Sequence, residues 1–102
     1  MILGKVIGTV VCTQKEDSLS GMKMLLVQPV NIKTMKEEGG QLVALDAVGA
    51  GEGELVLVVG GSSARNAANY AKVTVDQSII GIVDFVNIED QQVYRKDQEA
   101  EG

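Results

Sequence analysis

The sequence predicts a mainly β fold: a small five-stranded OB-like β-barrel with one short helix between the fourth and fifth strands. Apolar and β-branched residues occur in short runs separated by glycine-rich or polar turns, which is typical of strands. Several runs are apolar at successive positions, so both faces of those strands must be covered. Glycines occur inside the first and last long runs, where they favour strand coiling in a small barrel.

The first strand is predicted over residues 2–13, where nearly every residue is apolar, β-branched or glycine. Strict alternation would put two glycines, Gly4 and Gly8, on the same face as Val6 and Val10. Glycines on one face leave room for a neighbouring backbone, so this strand is expected to coil within a barrel.

The second and third strands are predicted over residues 23–28 and 41–46. Pro29 has no N–H to donate, so pairing on that side is expected to stop there. The intervening residues 31–40 carry two lysines and two glutamates and end in Gly-Gly. Such a charge run predicts an exposed excursion.

The fourth strand is predicted over residues 54–59, followed by a Gly-Gly-Ser-Ser turn into a short helix. Ser62 is a strong N-cap residue, and the helix can run through residues 65–69, which is barely two turns. A fifth strand is predicted over residues 78–86, which are apolar on both faces around a central glycine. Residues 93–94 add a brief final strand.

A glycine-rich loop between the third and fourth strands is the most distinctive stretch of the chain. Gly49, Gly51 and Gly53 fall within five positions, and glycine adopts positive φ or close backbone contacts at little cost. Acidic residues at the two ends, Asp46 and Glu54, are commonly turn and capping groups. The simplest interpretation is a loop joining two strands. The alternatives are an anion cradle and a loop packed against copies of itself about a symmetry axis.

Length and composition predict one domain over residues 1–95 and a polar, flexible C-terminal tail over residues 96–102. No apolar run is as long as a membrane span and no signal sequence is evident, so the protein is expected in the cytoplasm. The lone Cys12 fits a reducing compartment. Because one barrel has only one interior, the second apolar surface of the strands is expected to be covered by another subunit.

Residue types that many enzymes and nucleic-acid-binding proteins need are scarce. The chain has no histidine, so it lacks Ser-His-Asp and Cys-His arrangements and imidazole metal ligands. A net charge of −5 opposes polyanion binding, and aromatic residues, on which single-stranded nucleic acids stack, make up 3% of the chain. We therefore expect no catalytic residues, no metal, no cofactor, and neither a nucleic-acid nor a membrane partner.

Five blocks of sequence occur in a specific order, at residues 4–11, 21–28, 48–54, 60–65 and 75–84. Together they resemble the EutN/CcmL family, the pentameric vertex proteins of bacterial microcompartment shells. The resemblance extends over about residues 1–95. Ethanolamine-, propanediol-, glycyl-radical- and carboxysome-type relatives share these blocks, so the resemblance leaves the kind of microcompartment open.

The resemblance implies a structural protein rather than an enzyme. Five copies would form a ring with a small axial opening, and this homopentamer would cap the fivefold vertices of a shell tiled by hexameric proteins. The residues implied at the axial opening and subunit interface are Gly49, Ala50, Gly51, Gly53 and Glu54. Those implied in a turn near the axis or interface, with a capacity to bind an anion, are Ser62, Ser63, Ala64 and Arg65.

Two other classes of function remain open from the residues alone. An OB-like binding module for a small anionic ligand or nucleic acid would use the helix start at Ser62, with Arg65 beside it. An enzyme would depend on paired carboxylates such as Asp46 and Glu54. A stable species of five copies would favour the shell protein, and a clean monomer would favour the binding module.

Overall fold

A computed structural model describes residues 1–11, 22–60 and 77–96 of the chain. These residues form seven strands and are mainly β. The strands are β1 (Ile2–Val10), β2 (Met24–Pro29), β3 (Leu42–Asp46), β4 (Leu55–Gly60), β5 (Gln77–Ile82), β6 (Phe85–Ile88) and β7 (Gln91–Arg95). The first four predicted strands are therefore confirmed, with ends that lie within three residues of the predicted bounds.

Five of the strands close into a barrel in the order β1-β2-β3-β5-β4. Strand β1 pairs with both β2 and β4, and this double pairing closes the barrel. All pairs are antiparallel except β3 with β5, which is parallel. The predicted five-stranded barrel is confirmed. The predicted helix, which starts at Ser62 and runs through residue 69, falls within residues 61–76, which lie outside the described residues.

A β-bulge in β1 corrects the predicted face of its glycines. The register shifts between Val6 and Gly8, so that Val6 pairs with Val27 whereas Gly8 pairs with Leu26. Directly paired residues share a face and successive residues of a strand alternate, so Gly8 lies on the opposite face from Val6. The prediction that Gly4 and Gly8 share one face was wrong, because the extra residue inverts the alternation.

The barrel interior holds one continuous apolar cluster. Its centre is formed by branched side chains from β1, β2, β4 and β5. The buried members are Val6, Leu25, Val27, Ala44, Ala50, Val56, Val58 and Ile79. Ala50 belongs to the glycine-rich loop, so this loop is anchored directly to the core.

The last long apolar run forms two strands, not the single strand predicted over residues 78–86. The Val83 amide donates to the carbonyl of Leu55, the first residue of β4, at 2.8 Å. Beyond that point β5 has no partner along β4, and the chain bends at Asp84 into β6. Composition alone does not reveal this break, because apolar residues continue on both sides of Asp84.

Strands β6 and β7 form a hairpin that covers part of the outside of the barrel. Tyr94 of β7 packs with Leu3, Val30 and Leu55 in a second apolar cluster. The predicted final strand at residues 93–94 is confirmed within β7. The outer apolar surface of the barrel was expected to be covered by another subunit. The hairpin of the same chain covers part of it.

The excursion over residues 31–40 is mostly exposed, as predicted. The Asn31 side chain organises its first turn, accepting hydrogen bonds from the amides of Lys33 and Thr34 at 2.9 and 3.0 Å. In residues 1–11, 22–60 and 77–96 no helix is both long and apolar enough to cross a membrane.

Candidate functional site

The loop that joins β3 to β4 folds around the carboxylate of Asp46. This side chain is 1% exposed, and its Oδ1 atom accepts hydrogen bonds from three successive amides. The donors are Val48, Gly49 and Ala50, at 3.1, 3.0 and 3.1 Å. Charge-assisted bonds of this kind are stronger than neutral ones, so the first half of the loop is held in one conformation.

Lys23, the residue before β2, supports this carboxylate from the adjacent strand. Its Nζ atom lies 3.7 Å from Asp46 Oδ2 and donates to the Ala50 carbonyl at 2.9 Å. A buried carboxylate needs such a partner, because desolvation without one is costly. The sequence gives no local signal for this role of Lys23, since its contact with Ala50 spans 27 positions.

Glu54 holds the second half of the loop. Its Oε1 atom accepts the Gly51 amide at 2.6 Å, and its Oε2 atom lies 2.8 Å from Lys96 Nζ. The bond to Lys96, followed by that to the Gly51 amide, lowers the pKa of the Glu54 carboxyl below its ordinary value of 4.5. Glu54 therefore connects the loop to the residue that follows β7.

Two of the three loop glycines adopt the left-handed conformation that was anticipated. Gly49 has a φ of 80° and Gly53 a φ of 88°, which residues with a Cβ rarely adopt. The φ of Gly51 lies outside that region, and a Cβ there would meet only Glu54 Oε1 at 3.7 Å. Positive φ therefore requires glycine at two of these positions and not at the third.

The five predicted residues of this loop lie together but differ in exposure. Gly49 and Gly53 are exposed, Gly51 and Glu54 are half-buried, and Ala50 is completely buried. The exposed positions form two turns on the surface, and Ala50 anchors the loop between them. The turn predicted to bind an anion, Ser62, Ser63, Ala64 and Arg65, lies outside the described residues and stays a prediction.

The chemistry of the loop is structural. Four of its amides already bond to the chain's own carboxylates, so the anion-cradle hypothesis for this loop has no support. The carboxylates of Asp46 and Glu54 are occupied as capping groups, as their positions had suggested. Over the part of the chain that the structure describes, no group of cysteine and acidic residues is arranged to hold a metal ion.

Sequence comparison relates the chain to proteins of one kind. A family model described as "Ethanolamine utilisation protein EutN/carboxysome" matches residues 1–84. The chain is 49% identical over 86 residues to the bacterial microcompartment shell vertex protein GrpN of Rhodospirillum rubrum. That match covers 84% of this chain and 96% of the relative.

Solved structures give the same result at the level of the fold. The chain superposes on CcmL of Gloeobacter violaceus with a TM-score of 0.89 at 42% identity, covering 95% of this chain and 99% of that one. It also superposes on GrpN of Rhodospirillum rubrum, described as a pentameric microcompartment shell protein. There the TM-score is 0.78 at 48% identity, covering 86% of this chain and 99% of that one.

Proposed function

This chain belongs to the EutN/CcmL family, and from that premise we propose that its pentamers close a shell by docking against hexameric shell proteins at the fivefold vertices. Within the family the chain is a structural protein of a bacterial microcompartment shell, not an enzyme. The observation that carries the proposal is the similarity, across nearly the whole barrel, to a pentameric shell protein.

The mechanism of closure is geometric. A ring of five identical subunits repeats one heterologous interface until it closes. Inserting a fivefold ring among sixfold ones introduces the curvature that a flat layer of hexamers lacks. The protein therefore needs a rigid barrel and complementary edges, and its contacts with neighbours depend on a few anchoring side chains.

The glycine-rich loop has a part in this proposal. Its exposed turns at Gly49 and Gly53 would lie at the axial opening and at the boundary between subunits. Two features support this role: both turns are at the surface, and Asp46 and Glu54 hold the loop in one conformation from inside. A rigid loop with two glycines lets a neighbouring backbone approach closely.

We propose that the protein binds neither nucleic acid nor a membrane. The net charge of −5 works against attraction to a polyanion or an anionic lipid surface. The partners are other copies of this chain and the hexameric proteins of the same shell.

Shell reconstitution tests the docking step. A hexameric microcompartment shell protein would be produced with and without this chain, and the products imaged by electron microscopy. We expect closed polyhedra when both are present and open sheets or tubes when this chain is omitted. Closed polyhedra in both preparations would contradict the proposal.

A further inference from the structure

A cleft lies on the outside of the barrel, between β7 and the excursion over residues 31–40. Its volume is about 310 Å³, within the range of ligand pockets, which is roughly 300–1,000 Å³. We call it the hairpin cleft. The described residues that line it include Lys5, Met35, Glu37, Leu55, Tyr94 and Arg95. None of its described lining residues belongs to the glycine-rich loop, so the cleft is a separate feature of the molecule.

The floor of the hairpin cleft is apolar. Val30, Leu55 and Tyr94 line it, and all three are buried members of the apolar cluster beneath the hairpin. The half-buried side chains of Met35 and Val93 add further apolar surface. A molecule with an apolar body gains free energy by leaving water for such a surface.

Met35 contributes to the hairpin cleft from a conformation that is uncommon for its residue type. Its φ is 60°, in the left-handed region that favours glycine. Two backbone hydrogen bonds hold this turn: the Met35 amide donates to the Asn31 carbonyl at 2.7 Å, and the Asn31 amide donates to the Lys36 carbonyl at 2.8 Å. Glycine would relieve the strain but would leave the cleft without this side chain. Strain kept beside a cleft is consistent with a role for the methionine there.

Three charged side chains surround the apolar floor. Lys5 and Arg95 are basic and Glu37 is acidic, which leaves an excess of one positive charge on a chain whose net charge is −5. Lys5 is half-buried, so water screens its charge less than that of an exposed lysine. Lys5 and Arg95 also make contacts within the chain. A ligand would therefore join these contacts and would be attracted by the local excess of positive charge.

We propose that the hairpin cleft binds a small organic monoanion, with a compact apolar body against Leu55 and Tyr94 and a carboxylate beside Lys5. The local positive charge favours an anion over a cation or a neutral molecule. The apolar floor favours an organic anion over an inorganic one. All the residues that carry the proposal belong to one subunit, so binding goes beyond the proposed docking in a shell and does not depend on it.

NMR of the full-length protein, labelled at its methionine methyl groups, tests the proposal with benzoate as the probe at low ionic strength. The Met35 methyl group is the reporter, because this residue lines the hairpin cleft. Met24 begins β2, at the other end of that strand from Val30, and is the internal reference. We expect benzoate to shift the Met35 signal in a saturable manner and to leave the Met24 signal in place. A Met35 signal that benzoate does not move would overturn the proposal.

Two further probes separate the charge of the ligand from its apolar body. Benzyl alcohol has a similar body without a charge, and inorganic phosphate has a charge without the body. We expect each to bind at least about tenfold more weakly than benzoate. Binding of either one as tight as that of benzoate would contradict the proposed ligand class.

Removing one positive charge tests the role of Lys5. We expect Lys5→Gln to weaken benzoate binding by about fivefold or more and to leave benzyl alcohol binding unchanged. The matched control is Lys36→Gln, which removes the same charge from an exposed lysine that does not line the hairpin cleft. Equal weakening in the two variants would overturn the proposal, because the net charge and not the cleft would then govern binding.

A variant of opposite effect covers the case in which Lys5→Gln does not fold. Glu37 is exposed, and its pairing with Val30 is a backbone bridge that a change of side chain leaves in place. We expect Glu37→Gln to tighten benzoate binding by about threefold, because it removes the one acidic side chain among the described lining residues. Unchanged or weaker binding would contradict the proposal. None of these outcomes bears on shell closure, which the reconstitution experiment measures separately.

Discussion

At the scale of single residues, two glycines in β1 have different reasons to be present. A Cβ added to Gly4 would collide with Val27 Cγ1 and approach the Gln28 carbonyl oxygen to 3.2 Å. A Cβ added to Gly8 would make only an ordinary contact. Gly4 therefore allows β1 and β2 to pack closely, whereas among the described residues the space around Gly8 admits a methyl group.

Substituting the two glycines by alanine tests this difference. We expect Gly4→Ala to lower the free energy of unfolding by about 1–3 kcal/mol, because the core must shift to admit the methyl group. Gly8→Ala is the control and should leave the stability of the subunit within about 0.5 kcal/mol of wild type. Chemical denaturation measures both, and equal losses would contradict the packing explanation.

The buried carboxylate of Asp46 gives a second residue-scale prediction. Asp46→Ala removes the acceptor of three loop amides and leaves Lys23 without its ion pair. We expect a loss of about 2–4 kcal/mol in the free energy of unfolding, since buried unsatisfied donors are costly. Glu52→Ala, in the exposed part of the same loop, is the matched control and should be nearly neutral. A neutral Asp46→Ala would show that the amides find other acceptors.

At the scale of elements, the residue after β7 is tied to the glycine-rich loop through one carboxylate. The Lys96 amide donates to the Asp84 carbonyl at 2.7 Å, and its ammonium pairs with Glu54. The loop and the end of the hairpin are therefore linked. The link is electrostatic, so its contribution to stability depends on pH.

The direction of that dependence follows from the pKa values. The pKa of Glu54 is lowered, so its contribution is fully present above the ordinary value of 4.5 and is lost as pH falls through the folded value. Glu54 raises the pKa of Lys96 above 10.5, so the same pair weakens again as pH rises through that raised value. We expect Glu54→Gln to be less stable than wild type at neutral pH and to approach it in acid. A stability difference that is constant from neutral pH into acid would contradict the pairing.

The strands of the barrel could be predicted because each shows a local signal. Apolar runs bounded by glycine or polar turns reveal β1 to β4, and the charge run reveals the excursion between β2 and β3. The β1 bulge and the turn between β5 and β6 could not be predicted, because they depend on where a partner strand ends and not on local composition. For the same reason the start of β6 was predicted as the end of the fifth strand, and β7 only as a brief strand at residues 93–94.

In the candidate site, the loop glycines and the capping role of Asp46 and Glu54 were predictable from their types and spacing. The partners of the two carboxylates were not. Lys23 precedes the loop in the sequence and Lys96 follows it by many residues. Both lysines contact the loop only because the barrel brings distant parts of the chain together. The burial of Ala50 likewise depends on packing, since alanine is common in both loops and cores.

At the scale of the whole molecule, the described part of the barrel presents two contrasting surfaces. The hairpin covers an apolar area over Leu3 and Leu55, and the excursion over residues 31–40 presents a charged one. The chain length suits a subunit of an oligomer, because small domains often complete their burial by oligomerisation.

The measurement that tests this account most directly is the native mass of the wild-type protein at several concentrations. Five copies of the 10.8 kDa chain give a ring of about 54 kDa. The account predicts a stable species at that mass that persists on dilution. A monomer of 10.8 kDa at high concentration would contradict it, because no ring would then exist to close a vertex.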